Sequence, residues 1–305
     1  MAHERIAIVG AGLMGHGIAQ VFASAGHPVR ITDPVPKARA AILAQIESNL
    51  EELGGDLAAL ARIEVVDELA VCVAGADLVV EAATEDLELK QALFADIERD
   101  APPDAILASN TSVIPIGKVM ERVRRKDRTL GTHWWNPPYL VPLVEVVRAT
   151  ATSDAAVSAT IALLRQAGKQ PVEVKRDIAG FVGNRLQHAL WREAIALVAE
   201  GVCDAKTVDD VVKLSFGARL AVLEPIENAD LVGLDLTRSI HSYVLPALNA
   251  STAPSPLLDA LIAEGRLGFK SRRGFLDWPQ DKQAALRARV TKHLKAAFAN
   301  AATQE

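Results

Sequence analysis

The sequence predicts an α/β fold in which a mostly parallel sheet domain is followed by an all-helical domain. Short β-rich runs alternate with helical patterns in the first half of the chain, as in βαβ units. After Asp177 such runs become scarce and helical spacing dominates. Because 305 residues suffice for two domains, we expect a sheet domain over residues 1–184 and a helical domain over residues 185–305.

The individual elements follow from periodicity and from their bounding residues. Apolar, β-branched runs predict strands at Arg5–Gly10, Val29–Asp33, Ile63–Val66, Asp77–Glu81, Ile106–Ala108, Val144–Val147 and Val172–Val174. Helical spacing predicts helices at Leu13–Ala25, Lys37–Leu53, Leu87–Arg99, Asp154–Ala167 and Gly180–Glu200, with a terminal helix after Arg287. No Ser/Gly-rich linker occurs, so we expect the helix from Gly180 to join the domains directly, with the boundary near Gly183–Arg185.

Composition excludes several classes of protein. Half of the residues are hydrophobic, which excludes a disordered chain, and the net charge of −5 disfavours non-specific nucleic-acid binding. Cys72 and Cys203 lack metal-ligand spacing and indicate a reducing compartment. No signal-peptide layout or membrane span is evident, so we expect a cytoplasmic protein that binds neither metal nor membrane.

A GxGxxG motif at Gly10, Gly12 and Gly15 follows the first predicted strand and opens a helix. In this context the first glycine permits a tight turn, the second lets a pyrophosphate approach the backbone, and the third lets helix and strand pack closely. The intervening Leu13 and Met14 belong to the same predicted cofactor loop. The alternative is an ordinary glycine-rich turn.

Asp33 ends the second predicted strand. A carboxylate at this position accepts both ribose hydroxyls of an adenosine and repels the 2′-phosphate of NADP, so the sequence predicts NAD as the cofactor. The alternative is a solvated aspartate. Polar residues at Ser109–Ser112 follow another predicted strand, where open α/β sheets bind ligands, and Asn110 is therefore a predicted cofactor contact. A polar turn that closes the strand is the alternative there.

His133 stands beside two Trp and two Pro residues in what the pattern predicts to be a stiff, apolar loop. Burial favours neutral imidazole, which can accept a proton. Glu145 lies alone in a β-branched run, where a carboxylate is costly to bury without a partner. A His133–Glu145 pair would explain both residues and would orient a general base. The alternative is a hydrogen-bonded core histidine with an edge-strand glutamate.

Asn184 opens the long predicted helix where the chain leaves the sheet domain. Its amide can donate to a substrate oxygen at an interdomain cleft, a common place for ligands. The alternative is that Asn184 only caps the helix, because asparagine is a favoured N-cap residue.

In their order along the chain, these motifs resemble the 3-hydroxyacyl-CoA dehydrogenase family. The resemblance covers nearly the whole chain and rests on GAGLMGHGIAQ near the N-terminus, DLVVEAATEDLELK (77–90), SNTS (109–112), HWWNPP (133–138), LVEVV (143–147), GFVGNRL (180–186), ADLVGLD (229–235) and GRLGFKSRRGF (265–275).

The resemblance implies a Rossmann-like N-terminal domain, a helical C-terminal domain that forms a homodimer, and reversible hydride transfer between a 3-hydroxyl carbon and NAD, as in fatty acid metabolism. It implies that His133 is the general base, that Glu145 orients it, and that Ser112 and Asn184 contact the reacting oxygen. It further places four residues near the cofactor, namely Glu85, Lys90, Asn136 and Lys270.

The substrate stays open, because parts of the chain depart from the acyl-CoA enzymes. Those enzymes usually have two Phe after the histidine and a Lys-rich helical hairpin for the CoA phosphates. This chain has Trp134-Trp135 and an acidic segment over Asp33–Glu68. The NPPYLVPLVEV loop is closer to the L-gulonate and carnitine 3-dehydrogenases, which oxidise free hydroxy acids.

Other features leave three hypotheses about the function. The ADLVGLD and GFKSRRGF motifs resemble the acyl-CoA enzymes, although Arg272 and Arg273 in the latter can also bind a substrate carboxylate. The resemblance therefore implies the oxidation of a 3-hydroxyacyl-CoA to a 3-oxoacyl-CoA, and the alternative is a free small 3-hydroxy acid of the gulonate, carnitine or hydroxybutyrate type. A NAD-binding structural protein, as among the crystallin relatives, is a third reading.

Overall fold

The computed structural model describes residues 3–298 and divides into two compact units. Among these residues, the first unit comprises 3–185 and 291–298. The second unit is Leu186–Val290. The first unit contains the sheet, and the second is built of helices.

The first unit is organised around one eight-stranded sheet. Its strands are β1 (Ile6–Val9), β2 (Val29–Thr32), β3 (Ile63–Val65), β4 (Leu78–Glu81), β5 (Ile106–Ser109), β6 (Thr129–Trp134), β7 (Leu143–Val147) and β8 (Gln170–Val174). Their order is β3-β2-β1-β4-β5-β6-β7-β8, and every pair is parallel except β6 and β7, which are antiparallel. The carboxyl ends of β1, β2, β4, β5 and β6 therefore lie along one edge of the sheet.

Both faces of the sheet are covered by helices. In the first unit these are α1 (Gly15–Ser24), α2 (Pro36–Leu53), α3 (Leu69–Val73), α4 (Leu87–Asp100), α5 (Ile116–Val119) and α6 (Asp154–Gln166). Alternate residues of β1 enter different cores, with Ile6 and Ile8 in one and Ala7 and Val9 in the other. This two-residue period on a fully buried strand is typical of a parallel sheet between two helix layers.

The predicted fold class is confirmed, and the predicted strands form with shifts of one or two residues at their ends. One prediction was wrong, because His133 lies on strand β6 and not in a loop. The sequence of β6 includes Gly131, where a Cβ would lie 2.6 Å from the Ile116 side chain. Glycine is therefore needed for tertiary packing at a position where it weakens the local strand signal.

Helix α7 (Gly183–Ala199) runs from the first unit into the second. The second unit continues with α8 (Ala205–Leu214), α9 (Pro225–Val232), α10 (Leu234–Val244) and α11 (Pro256–Ala263), and α12 (Gln280–Phe298) follows. The end of α12 belongs to the first unit, where Lys295 Nζ donates to the Glu52 carbonyl oxygen, although the sequence places this stretch with the helical domain. No helix within residues 3–298 has the length and apolar character needed to cross a membrane.

Candidate active site

The loop between β1 and α1 is closely packed at two glycines and open at a third. Gly10 has a φ of 104°, and a Cβ there would lie 2.7 Å from the Ala82 carbonyl carbon. A Cβ on Gly15 would lie 1.8 Å from the Gly10 carbonyl oxygen. At Gly12 a Cβ would meet no atom within 4 Å. This loop fits a dinucleotide, because a pyrophosphate can approach the open backbone at the N-terminus of α1.

Asp33 stands directly after β2 and beside this loop. One carboxylate oxygen accepts a hydrogen bond from the Ala11 amide at 2.8 Å, and the other accepts one from the Val35 amide at 2.9 Å. Arg39 forms an ion pair with Asp67 at 2.8 Å and donates to the Asp33 carbonyl oxygen. The carboxylate is therefore held at the end of β2, the place where Rossmann-like domains bind the adenosine ribose.

A buried ion pair connects β4, β5 and α4. Glu81 Oε1 accepts hydrogen bonds from Lys90 Nζ at 2.6 Å and from the Ala83 amide at 2.7 Å, and Oε2 accepts one from Ser109 Oγ at 2.6 Å. Both charged side chains are fully buried. The resemblance places Lys90 near the cofactor. In the structure its ammonium lies in the protein interior, where it holds the Glu81 carboxylate in place.

Glu85 continues this network toward the surface. Its Oε2 lies 3.6 Å from Lys90 Nζ. Its Oε1 accepts hydrogen bonds from Thr111 Oγ1 and from the amides of Ser112 and Val113. Glu85 therefore fixes the backbone of the turn after β5, which carries two of the predicted site residues, Asn110 and Ser112.

The central feature of the site is a buried histidine–glutamate pair. His133 on β6 and Glu145 on β7 are direct partners in the antiparallel register. Nδ1 of His133 lies 2.6 Å from Glu145 Oε2, and the two residues are only 3% and 1% exposed. The other glutamate oxygen accepts hydrogen bonds from the amides of Val182 and Gly183, at 2.9 and 3.1 Å. The pairing that the sequence predicts is thus present.

These contacts keep Glu145 ionised. Burial alone raises the pKa of a carboxyl group, but the hydrogen bonds from His133, Gly183 and Val182 outweigh it and lower the pKa of Glu145 below its ordinary value. An ionised carboxylate accepts the Nδ1–H hydrogen bond, so the tautomer that it favours leaves Nε2 free to accept a proton.

Asn184 connects the histidine to the turn after β5. Its Nδ2 donates to the Ser112 carbonyl oxygen at 2.7 Å and lies 3.5 Å from Nε2 of His133. Helix α7 begins one residue earlier, so Asn184 lies in the first helical turn and is not the N-cap. The structure therefore brings together all four predicted catalytic residues, namely Ser112, His133, Glu145 and Asn184.

Two aromatic rings flank the His133 imidazole. The ring centroids of Trp135 and Phe181 lie 5.3 and 5.6 Å from that of His133. Phe181 is fully buried and has a φ of 49°, which is rare for a bulky residue. This backbone turn aligns the following amides of Val182 and Gly183 with Glu145. The aromatic surroundings limit the access of water to the pair.

The remaining predicted cofactor residues lie at different depths. Leu13 is exposed, and Met14 is partly buried against the core. Asn110 accepts a hydrogen bond from the Trp134 amide through Oδ1, and Asn136 is exposed. Lys270 is an exposed residue of the second unit, in a short 3-10 turn.

Sequence reasoning missed Glu81. It is buried at the end of β4 and completes the network with Lys90 and with Ser109, which belongs to the polar cluster that the sequence singles out. The signal was available for Glu81, because it is a lone carboxylate in a β-branched run, as Glu145 is. The amides of Val182 and Gly183 are likewise part of the pair, but their role depends on tertiary structure.

The glycine-rich loop, Asp33 and the buried histidine–glutamate pair define an NAD-dependent oxidoreductase with a Rossmann-like domain. A family model described as the NAD binding domain of 3-hydroxyacyl-CoA dehydrogenase matches residues 5–178, and the model of the C-terminal domain matches residues 180–278. The chain belongs to the 3-hydroxyacyl-CoA dehydrogenase family. The predicted family, enzyme class and NAD cofactor are thus confirmed.

Individual relatives and a solved structure are similar to this chain over most of its length. A protein of Mesorhizobium japonicum named 5-formyl-3-hydroxy-2-methylpyridine 4-carboxylate 5-dehydrogenase is 35% identical over 298 residues, with 96% of each chain covered. The solved structure of an enzyme with this activity, described as an NAD+ dependent dismutase, has a TM-score of 0.90 at 32% identity, covering 99% of this chain and 100% of that one. A probable 3-hydroxybutyryl-CoA dehydrogenase of Bacillus subtilis is 37% identical over 291 residues, 92% of this chain and 99% of the relative.

Proposed function

We propose that this chain is an NAD-dependent dehydrogenase that oxidises a hydroxyl group on a small, free carboxylic acid, with His133 as the general base. The observation that carries the proposal is the 2.6 Å contact between His133 Nδ1 and the ionised Glu145. A histidine held in this way has one nitrogen fixed and one available for proton transfer. The intact pair also argues against the reading as a non-catalytic NAD-binding protein.

In the forward direction, Nε2 of His133 accepts the proton of the substrate hydroxyl. Glu145 stabilises the imidazolium that forms, and the Asn184 amide and the Ser112 hydroxyl contact the reacting oxygen. The hydride leaves from the same carbon, and NAD, when bound, would supply its acceptor. In the reverse direction, the imidazolium returns its proton to the developing alkoxide. Burial of the pair strengthens these electrostatic effects.

The cofactor is held by residues along the carboxyl edge of the sheet. We assign the pyrophosphate to the loop of Gly10, Gly12 and Gly15, with Leu13 and Met14 beside it, and the ribose to Asp33. Asn110, Asn136 and Glu85 complete the predicted contacts of the first unit, while Lys90 positions Glu81 and Glu85 from the interior. Lys270 stays a predicted contact from the second unit.

The segment after β2 supports a free acid as the substrate. It forms the single helix α2, followed by a 3-10 turn at Leu57–Arg62, and not a Lys-rich helical hairpin. Of its few basic side chains, Arg39 is paired with Asp67 and Arg62 donates to the Ala23 carbonyl oxygen. The excess of acidic residues would repel the phosphates of CoA. The name of the Mesorhizobium relative, a pyridine carboxylate dehydrogenase, agrees with this choice.

A 3-hydroxyacyl-CoA is the second candidate substrate. It is favoured by the GRLGFKSRRGF motif of residues 265–275 and by the Bacillus subtilis relative, whose name gives a CoA thioester. Arg272 and Arg273 are exposed in this motif, and Arg273 lies 3.4 Å from Asp277. These two arginines are the candidates for binding the substrate carboxylate if the substrate is a free acid. They are also the candidates for binding the anionic CoA thioester if the substrate is a 3-hydroxyacyl-CoA.

The two substrates can be separated by a turnover assay. Purified enzyme and NAD are incubated in parallel with L-3-hydroxybutyryl-CoA, L-3-hydroxybutyrate, L-carnitine and L-gulonate, and NADH absorbance is followed. The proposal expects turnover with at least one free acid and none with the thioester. Turnover with the thioester alone would overturn the free-acid assignment and leave the role of His133 standing.

We further propose that the second unit forms a homodimer. Many of its large apolar side chains are exposed, among them Leu214, Val222, Ile226, Leu231, Leu234 and Tyr243, each more than 60% exposed. A surface of this kind is typical of an oligomer interface. Light scattering should give twice the chain mass, and a monomer at micromolar concentration would contradict the proposal.

We also propose a cytoplasmic location, since Cys72 and Cys203 are both free.

A further inference from the structure

Lys169 is a buried cation outside the residues considered so far. It lies between α6 and β8 and is 8% exposed. Its Nζ donates to the carbonyl oxygens of Pro138 and Val141, the latter at 2.9 Å. The ammonium also lies 5.5 Å from the centroid of the Trp134 ring. All of these partners belong to the end of β6 or to the connection that follows it.

Burial of this charge is costly. Within the described part of the chain, Lys169 forms no ion pair with a carboxylate, and burial lowers the pKa of its ammonium to about 8. An apolar side chain of similar size would avoid this cost. The hydrogen bonds to the two carbonyl groups are therefore the feature that a lysine supplies and an apolar residue cannot.

The connection that Lys169 holds, residues 135–142, joins the strands of the His133–Glu145 pair. On its other side this connection packs on the cofactor-binding part of the fold. Pro138 lies so close to α1 that a Cβ on Gly17 would be 3.0 Å from its ring. Tyr139 Oη donates to Asn49 Oδ1 of α2 at 3.2 Å. The connection is therefore fixed from two sides, by Lys169 and by α1 and α2.

We propose that Lys169 is a positioning residue for proton transfer: by holding the carbonyl groups of Pro138 and Val141, it keeps β6 and β7 in the register that aligns His133 with Glu145. The inference rests on the proposed role of His133 as the general base. Loss of the Lys169 contacts leaves a buried carbonyl group at Pro138 and a partly buried one at Val141 without this donor and lets the connection shift. A shift of about 1 Å at a catalytic group can reduce turnover about 100-fold.

The test compares Lys169→Met, Lys169→Gln and Lys169→Arg with the control Lys175→Met, which removes an exposed lysine near the end of β8. Each variant is assayed with NAD and the best substrate of the turnover panel over a pH series. NAD affinity and the circular dichroism spectrum are measured alongside. If Lys169→Met does not fold, the Gln and Arg variants carry the test, because both retain hydrogen-bond donors.

We expect the kcat of Lys169→Met to fall about 10- to 100-fold while NAD affinity stays close to that of the wild type. Lys169→Arg should recover part of the loss, with Lys169→Gln between the two. The acid limb of the kcat/KM profile should also move to lower pH, since a looser contact with Glu145 stabilises the imidazolium less. A purely structural role would lower the melting temperature without moving this limb.

Folded Lys169 variants with wild-type kcat and an unmoved acid limb would overturn the proposal. His133→Ala, measured in the same series, separates this failure from failure of the proposed function. If His133→Ala keeps its turnover, the general-base assignment is wrong. If His133→Ala loses turnover and the Lys169 variants do not, only the positioning role is wrong.

Discussion

Glu81 on β4 and Glu145 on β7 are both buried carboxylates in β-branched strands, yet their partners differ. Glu81 is paired with the Lys90 ammonium, and both of its oxygens accept hydrogen bonds from donors of the interior. Glu145 faces the imidazole of His133, and its other oxygen is held by backbone amides. We call the Glu81–Lys90 pair closed, because donors occupy both oxygens of its carboxylate. We call the His133–Glu145 pair open, because Nε2 of His133 can accept a proton.

The difference indicates what each pair does. A closed pair stabilises the fold and fixes the strand ends around the cofactor loop, and no atom of it needs to change charge. An open pair can take up a proton at His133 Nε2 because Glu145 stays ionised and compensates the charge. Buried carboxylates with similar sequence surroundings thus have different roles, which are set by the chemistry of their partners.

The largest expected effect separates the two pairs by activity. In Glu145→Gln the amide nitrogen would donate to Nδ1 of His133 and favour the tautomer with a proton on Nε2, which cannot act as a base. We expect kcat/KM to fall by about 10²- to 10⁴-fold with unchanged NAD affinity. Measurement is by NADH formation and by NAD titration of the free variant. Retention of half the wild-type kcat/KM would show that the pair is not the proton acceptor.

The next effect separates the pairs by stability. Lys90→Met leaves Glu81 as an unpaired buried charge, so the free energy of unfolding should fall by about 3–5 kcal/mol in urea titrations. The control Ser109→Ala removes one hydrogen bond to the same carboxylate and should cost about 1–3 kcal/mol. The double variant Glu81→Leu/Lys90→Met should regain most of the loss. A single Lys90→Met variant as stable as the wild type would refute the closed-pair interpretation.

The smallest effect concerns acid stability. Burial tends to raise the pKa of Glu145, but hydrogen bonds from His133, Gly183 and Val182 lower it overall, below the ordinary value of 4.5. The unfolded chain therefore binds this proton more readily, and the stabilisation from Glu145 is lost as the pH falls through the folded value. Urea unfolding over an acidic pH series should show a steeper loss for the wild type than for Glu145→Gln. Equal slopes would mean that Glu145 titrates normally.

Local sequence signals were sufficient for the cofactor loop and for the histidine–glutamate pair. The GxGxxG motif and Asp33 depend on short-range geometry, and a lone Glu145 in an apolar strand requires a partner wherever it lies. These features could be predicted because their physical cause is contained in a few neighbouring residues.

Other features depend on contacts between distant segments. Strand β6 contains Gly131, whose missing side chain makes room for Ile116, and this packing is invisible in a local pattern. Lys169 gave no signal, because its partners are backbone carbonyl groups of another segment. Glu81 was overlooked although its sequence surroundings resemble those of Glu145, because its partner Lys90 follows on the next helix.

The central claim is that His133 carries the proton in an NAD-dependent oxidation. The most direct measurement is NADH formation by His133→Ala with a substrate that the wild type turns over, together with NAD titration of the free variant. The account predicts a loss of turnover of about 10²- to 10⁴-fold with NAD binding retained. Turnover equal to that of the wild type would contradict it.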